Sequence, residues 1–229
     1  MKIAITIATY QRPDGRSYDY LTRALNSIKN QSHQDFKVFL IGDKYEDNDE
    51  FESIAKTILD QDKIYFENLP VAIERSIYTG KNLWCCGGVN AMNTGILRAL
   101  ENKFSWVAHL DHDDYWEADH LVSINNTIVD FPEANFIYTA STYKNNFILP
   151  RHSNLDGTVH KRLPERGNVI HSSVCFNCNE IKLRYRDCIK EDGKDEPADA
   201  DLWKRISSDK NIHSYFINKL TCFQPQEKH

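Results

Sequence analysis

The sequence predicts an α/β protein built on a mostly parallel sheet, with a smaller mixed region towards the C-terminus. Three observations predict it. Apolar runs of strand length alternate with segments of helical periodicity over the first 110 residues. One of those runs leads straight into Asp111-His112-Asp113-Asp114, at the kind of strand end where open parallel sheets bind ligands. Beyond residue 115 the pieces become short and stop alternating, too slight to fold alone, so one domain over residues 1–229 is expected.

Each element has its own signal. Lys2–Ala8 is β-branched and apolar and reads as a strand. Tyr18–Lys29 sets Leu21, Leu25 and Ile28 on one helical face. Phe36–Ile41 reads as a second strand, Phe51–Leu59 as a short helix with Ile54 and Leu59 inward, and Lys63–Phe66 as a weak third strand. A polar connection ends in Cys85-Cys86-Gly87-Gly88. Val89–Leu100 follows as a helix and Phe104–Leu110 as a strand. This order implies right-handed parallel crossovers. The second half gives strands at Asn135–Ser141, Val169–Phe176 and Ile212–Ile217, a loop over 145–166 and a helix at Leu202–Ser207.

Composition excludes several classes. With 28 Lys and Arg against 33 Asp and Glu, the net charge of −5 argues against a general nucleic-acid binder. Three short windows, 43–52, 111–114 and 191–201, hold 15 of the 33 acids and two of the 28 bases, so the rest of the chain is basic. No run approaches the roughly 18–20 apolar residues of a membrane span, and the N-terminus lacks a signal-peptide pattern, so a cytoplasmic protein is expected. The cysteines at 85, 86, 175, 178, 188 and 222 are then expected as reduced thiols; a zinc site from Cys175, Cys178, Cys188 and His171 is the lesser alternative.

The acidic cluster carries the chemistry. In extended chain Asp111 and Asp113 would face one side and His112 the other, so both carboxylates would reach one cation. Hard oxygen ligands suit Mg²⁺ or Mn²⁺, which keep positions open for phosphate oxygens. The competing reading is a surface turn whose aspartates cap the next helix.

With these residues in view, the chain resembles the family 2 glycosyltransferases from residue 3 to about 206, more weakly between 68 and 85. Ile5-Thr6-Ile7-Ala8-Thr9-Tyr10-Gln11-Arg12 looks like that family's first strand and its end. Leu21-x-x-Ala24-Leu25-x-Ser27-Ile28-x-x-Gln31 with Asp35-Phe36 is similar to its first helix and second strand. Ile41-Gly42-Asp43 with Asp47-Asn48 resembles its nucleoside-reading loop. Gly88-Val89-Asn90-Ala91-Met92-Asn93-Thr94-Gly95-Ile96 resembles a helix start of the family, and Leu110-Asp111-His112-Asp113-Asp114 stands at its Asp-x-Asp motif. Val169–Phe176 resembles a strand near the acceptor, and Ala198-Asp199-Ala200-Asp201-Leu202-Trp203-x-Arg205 the segment that supplies the base.

The resemblance implies a GT-A, Rossmann-like fold with a nucleotide-sugar-binding half over 1–114 and an acceptor-side half over 115–229. It implies a metal-dependent (Mn²⁺ or Mg²⁺), inverting transfer of one sugar from a nucleotide-diphosphate sugar, with UDP the expected nucleotide. The acceptor would be a glycan, a lipid-linked or a protein-linked hydroxyl. Thr9, Tyr10, Arg12, Asp43, Gly88, Asn93, Asp111 and His112 are implied to bind the donor, Tyr10 against the base. Asp111 and Asp113 are implied to hold the metal. Asp199 is implied as the base, with Asp201 or Glu196 as substitutes; a helix cap is the other reading of Asp199 and Asp201. Gly87 and Gly88 would let the backbone approach the ligand and leave the next helix N-terminus open to phosphate.

His171 would orient acceptor or phosphate, or be a satisfied strand histidine. Trp116 and Trp203 would offer a sugar-stacking face, or pack in the core. Lys161, Arg162 and Arg166 would fold over the diphosphate, or be solvated charge. Met92 replaces the family's arginine, Gly42 its first loop aspartate and Ala8 its proline. Arg12 or the 161–166 loop would have to supply the missing cation. Without a Gln-x-x-Arg-Trp segment or a membrane span, single addition per cycle is expected rather than processive synthesis. The alternatives are a haloacid-dehalogenase-like phosphotransferase, which shares an Asp-x-Asp after a strand, and a non-catalytic nucleotide-sugar-binding module.

Overall fold

In the computed structural model, which describes residues 1–144, 147–189 and 195–225, Ile3–Thr9 form strand β1 well inside a ten-stranded sheet. Its alternation decides what lies on either side. Ile3, Ile5 and Ile7 enter one core and Ala4 another, so β1 is apolar on both faces, as a strand covered on both sides must be. Phe36–Gly42 (β2) pairs parallel with β1 and divides likewise, with Val38 and Leu40 on one side and Phe39 on the other. Ile64–Asn68 (β3) and Trp106–His109 (β4) extend the parallel set, giving the order β3-β2-β1-β4.

The rest of the sheet is mixed. Phe136–Tyr143 (β6) and Ser214–Phe223 (β10) pair parallel with each other. Val174–Asn177 (β9) runs antiparallel between β4 and β6, and so joins the two halves of the chain. The short strands Tyr115–Trp116 (β5), Phe147–Leu149 (β7) and Val159–Lys161 (β8) add antiparallel edges. Helices Ser17–Lys29 (α1), Asn48–Ile58 (α2) and His120–Asp130 (α6) cover one face; Val89–Glu101 (α5) and Ala198–Ser207 (α7) cover the other.

Two short helices, Ile73–Ile77 (α3) and Gly80–Cys86 (α4), occupy the connection read as irregular. The run Val169–Phe176 is not one strand. His171–Ser173 form a 3-10 turn first, closed by Ser173 N and Oγ, which both donate to Ile170 O. Serine hydroxyls compete for backbone groups in this way and interrupt a strand. The loop over 145–166 contains β7 and β8, and α7 begins at Ala198 rather than Leu202. Helix α6 was not expected, because its serine, asparagine, threonine and β-branched residues are weak helix formers; burial of His120, Leu121, Ile124 and Thr127 at helical spacing holds it. Among the described residues no helix is long and apolar enough to cross a membrane. Glu191 and Asp192 of the acidic window 191–201 lie outside the described residues.

Candidate active site

The parallel strands β1, β2 and β4 end on the same edge, and the residues at the end of β1 and just beyond β2 and β4 line a cleft of about 450 Å³. From β1 come Thr9, Tyr10 and Arg12, from β2 Asp43, and from the turn after β4 Asp111, His112 and Asp113. Helices α3 and α4 contribute Arg75 and Trp84, and Gly88 opens α5. Gly88 sits at φ 83°, a left-handed conformation that glycine adopts without strain.

Asp43 is buried. Its Oδ2 accepts from Arg75 Nε at 2.9 Å, and its Oδ1 has no partner among the described residues. Burial raises its pKa despite the neighbouring guanidinium. The same Arg75 group lies 3.4 Å from the centroid of the Tyr10 ring. One face of Tyr10 is therefore already covered by a cation, while Arg12 Nη1 donates to its hydroxyl at 3.2 Å. Thr9 is paired through Oγ1 with the Tyr45 hydroxyl. Asp47 is no part of this cleft's lining: it caps α2 by accepting from Glu50 N.

The acidic cluster is a turn, not extended chain. Asp114 N donates to Asp111 O, and Asp111, His112 and Asp113 all line the cleft. His112 does not point away; it is buried edge-on against Tyr10, with ring centroids 5.3 Å apart. Asp114 is fully buried and accepts from Ser172 Oγ at 2.5 Å. Burial, then the charges of Asp111 and Asp113, push its pKa well up. Ser172 knots the turn in place: its Oγ also accepts from Asp111 N, and its carbonyl accepts from Trp116 Nε1.

Asp111 is held from a second side. His171 Nδ1 donates to its Oδ1 at 2.7 Å, and His171 Nε2 pairs with the Tyr185 hydroxyl at 2.8 Å. Burial disfavours the imidazolium, but the Asp111 carboxylate more than offsets this and raises the His171 pKa. The Asp111 pKa is lowered, because the His171 charge and hydrogen bond outweigh burial. Asn93 does not line either cleft. Its amide exchanges two hydrogen bonds with the backbone of Tyr185 and so fixes the support of His171.

A second cleft, of about 390 Å³, adjoins the first and shares Trp84, Gly87, Met92 and Asp111 with it. It contains His171, Asp199 and Arg166. Asp199 lies in the first turn of α7, where Oδ1 accepts from Ala200 N, and burial raises its pKa. Neither Asp199 nor Asp201 caps the helix.

Several sequence-based expectations are corrected here. Asp201 does not share the second cleft. Its carboxylate accepts from Arg186 Nη2 at 2.7 Å and Arg205 Nε at 2.6 Å, which makes it a structural anion. Trp116 is no sugar-stacking face: it is buried and stacked on His120 with centroids 4.2 Å apart. Trp203 borders the second cleft but is 1% exposed and packs against Phe136. One N–H at the N-terminus of α5 is already taken, because Glu74 Oε1 accepts from Asn90 N at 2.9 Å. Lys161 and Arg162 lie away from both clefts, at the β8 edge. Arg75 and Arg12 are the guanidinium groups that line the cleft in which Met92 stands. Arg75, Glu74, Trp84, Ser172 and Tyr185 had no assigned role in the sequence reading. Only the Ser172 region carried a recognisable pattern, and the 68–85 stretch that holds three of them matched weakly.

The carboxylates of Asp111 and Asp113 fit a hard divalent cation. Both line the first cleft with the kind of oxygen ligand that Mg²⁺ and Mn²⁺ take, and among the described residues no set of three His, Cys, Asp or Glu groups converges. The same finding leaves the Cys175, Cys178, Cys188 and His171 alternative without a ligand set; Cys178 Sγ donates instead to Ser105 O.

Comparison with known proteins adds three findings. The profile described as glycosyl transferase family 2 matches residues 4–193. The chain is 37% identical over 236 residues to an uncharacterized glycosyltransferase of Acanthamoeba polyphaga mimivirus, covering 99% of this chain and 95% of that one. Its fold is similar to S. aureus TarS 1-349, with TM-score 0.68 at 15% identity over 97% of this chain. A TarS structure in complex with UDP-GlcNAc gives TM-score 0.69 at 15% identity over all of this chain. In both cases this chain spans 60% of the TarS chain.

Proposed function

The chain belongs to glycosyl transferase family 2, and from that premise we propose that it transfers one sugar per cycle, with inversion, from a UDP-linked donor to an acceptor hydroxyl. The observation that carries the reading is Asp111. It stands where the cleft holding Tyr10, Asp43 and Arg75 meets the cleft holding Asp199. Nucleoside and acceptor sites must meet at one point for a direct displacement, and the two clefts share that wall. TarS structures in complex with UDP and UDP-GlcNAc support UDP as the nucleotide.

In this reading the Arg75-covered ring of Tyr10 and the partnerless Asp43 Oδ1 face the nucleoside, and Arg12 faces the diphosphate. Asp111 and Asp113 would hold a divalent ion, which would supply neutralising charge for the leaving diphosphate. Asp199 takes the proton of the acceptor hydroxyl as its oxygen bonds to the anomeric carbon. The bond from that carbon to the diphosphate oxygen breaks, and the electron pair leaves with the nucleotide. The raised pKa of Asp199 makes it a better base than an exposed carboxylate. The Asp111–His171–Tyr185 chain positions the shared wall. The family assignment replaces the phosphotransferase alternative.

The test is thermal: at a hundredfold excess over Kd, UDP with Mn²⁺ should stabilise the chain by about 2.7 kcal/mol, or roughly 5–11 °C for this size. Asp113→Asn should remove the Mn²⁺-dependent part. No shift at millimolar UDP would sink the reading, and a product of retained anomeric configuration would sink the single displacement.

A further inference from the structure

Three of the four tryptophans are interior: Trp106, Trp116 and Trp203 are 4%, 3% and 1% exposed. Trp84 is 68% exposed, although its neighbours Cys85 and Cys86 are buried and fix α4 beneath it. Its indole lies on the boundary between the two clefts and lines both. Leaving so large an apolar ring in water is unfavourable, and a ring held at the rim of a site gains most from a ligand that covers it.

The second cleft indicates what that ligand is. Its apolar side is Leu149, Val169 and Ile170, and its acids are Asp111 and Asp199. Its cations are already matched: Arg166 pairs with Glu196 at 3.3 Å, and His171 with Asp111. The described residues lining it set two carboxylates against one guanidinium and one imidazole, so the cleft carries no excess positive charge to favour a phosphate or carboxylate. A pyranose suits these walls, because its C–H face is apolar and its rim carries hydroxyls for a carboxylate.

We propose that Trp84 is the stacking platform for the terminal sugar of the acceptor, and that this acceptor is an uncharged pyranoside rather than a phosphorylated polyol or sugar phosphate. The inference rests on the glycosyltransferase reading and on Asp199 as the base. Trp84 is a specificity residue in it: it grips the acceptor while Asp199 takes the proton.

Acrylamide quenching of tryptophan fluorescence reads Trp84 selectively, since the other three indoles are shielded. The experiment uses the full chain with UDP and Mn²⁺, and adds either neutral methyl glycosides or glycerol phosphate and glucose 6-phosphate. UDP binding is followed separately by melting temperature. The expected result is that a neutral glycoside lowers the quenching constant about twofold, that the phosphorylated compounds do not, and that Trp84→Ala abolishes the glycoside effect. In transfer assays Trp84→Ala should raise the acceptor KM about tenfold and the donor KM far less, with Trp84→Phe intermediate. With UDP bound, protection by the phosphorylated compounds, or by no glycoside, overturns the proposal. A failure of UDP itself to raise the melting temperature would instead remove the functional reading beneath it.

Discussion

Asp199 and Asp201 are two residues apart on α7, and replacing each by asparagine should give opposite results. Asp199 has its pKa raised by burial. A carboxyl whose folded pKa lies above its unfolded value contributes stability below the unfolded value, and loses it as pH rises through the folded one. At pH 7–8 the ionised Asp199 is therefore a cost to the fold. Asp199→Asn should raise the melting temperature there, with a gain that shrinks towards pH 4, while transfer falls about 10²–10⁴-fold with loss of the base. Asp201 is the reverse. Its carboxylate, 7% exposed, accepts from Arg205 and Arg186. Arg186 is largely open to solvent, so the Arg205 contact dominates. Neutralising a buried, charge-assisted acceptor costs about 2–3 kcal/mol, or roughly 4–12 °C at this chain length. Turnover below the melting transition should persist. Calorimetry across pH and a UDP-release assay on both variants decide the matter. An active Asp199→Asn that melts lower, beside an inactive Asp201→Asn with unchanged melting, would refute the assignment of base and anchor.

Three further outcomes follow from contacts already described. Arg75→Ala uncovers Tyr10 and leaves Asp43 buried without its partner. UDP affinity, measured calorimetrically, should fall about 3–30-fold on the scale of a desolvated cation–π contact. Gly42→Asp, which restores the family residue, should destabilise rather than improve the protein, because a Cβ there lies 2.8 Å from Asn68 Oδ1 and 3.2 Å from the Phe51 ring. Overpacking of this kind costs about 1–3 kcal/mol, visible as a denaturation midpoint shifted down. Burial depresses His120 to about 3. Its contribution is full above the unfolded value near 6.5 and is lost as pH falls towards the folded one, so melting temperature should drop from about pH 6 downward, less steeply in His120→Gln.

The legible parts of the fold were those whose signal is local. β1, β2 and α1 announce themselves because burial on both faces or along one stripe writes a period into the residues. β9 did not, because His171–Ser173 has strand-like composition yet turns on its own serine hydrogen bonds. The residues of the donor-side motifs converge, with Thr9, Tyr10, Arg12, Asp43, Asp111, His112 and Asp113 all lining one cleft. Asn93 matched its motif and proved to be a strut for Tyr185.

The sequence by itself determined the family, the order of the parallel strands' elements, and the strand ends at which the acids gather. These depend on residues close together in the chain. The tertiary structure alone decided which of two neighbouring aspartates shares a cleft with Asp111, that Glu74 takes an N–H at the start of α5, and that Arg75 covers Tyr10. It also decided that Ser172 and His171, some sixty residues away, fix Asp111. Those facts are set by burial and hydrogen bonds between distant segments, and no local period records which buried group will meet which partner.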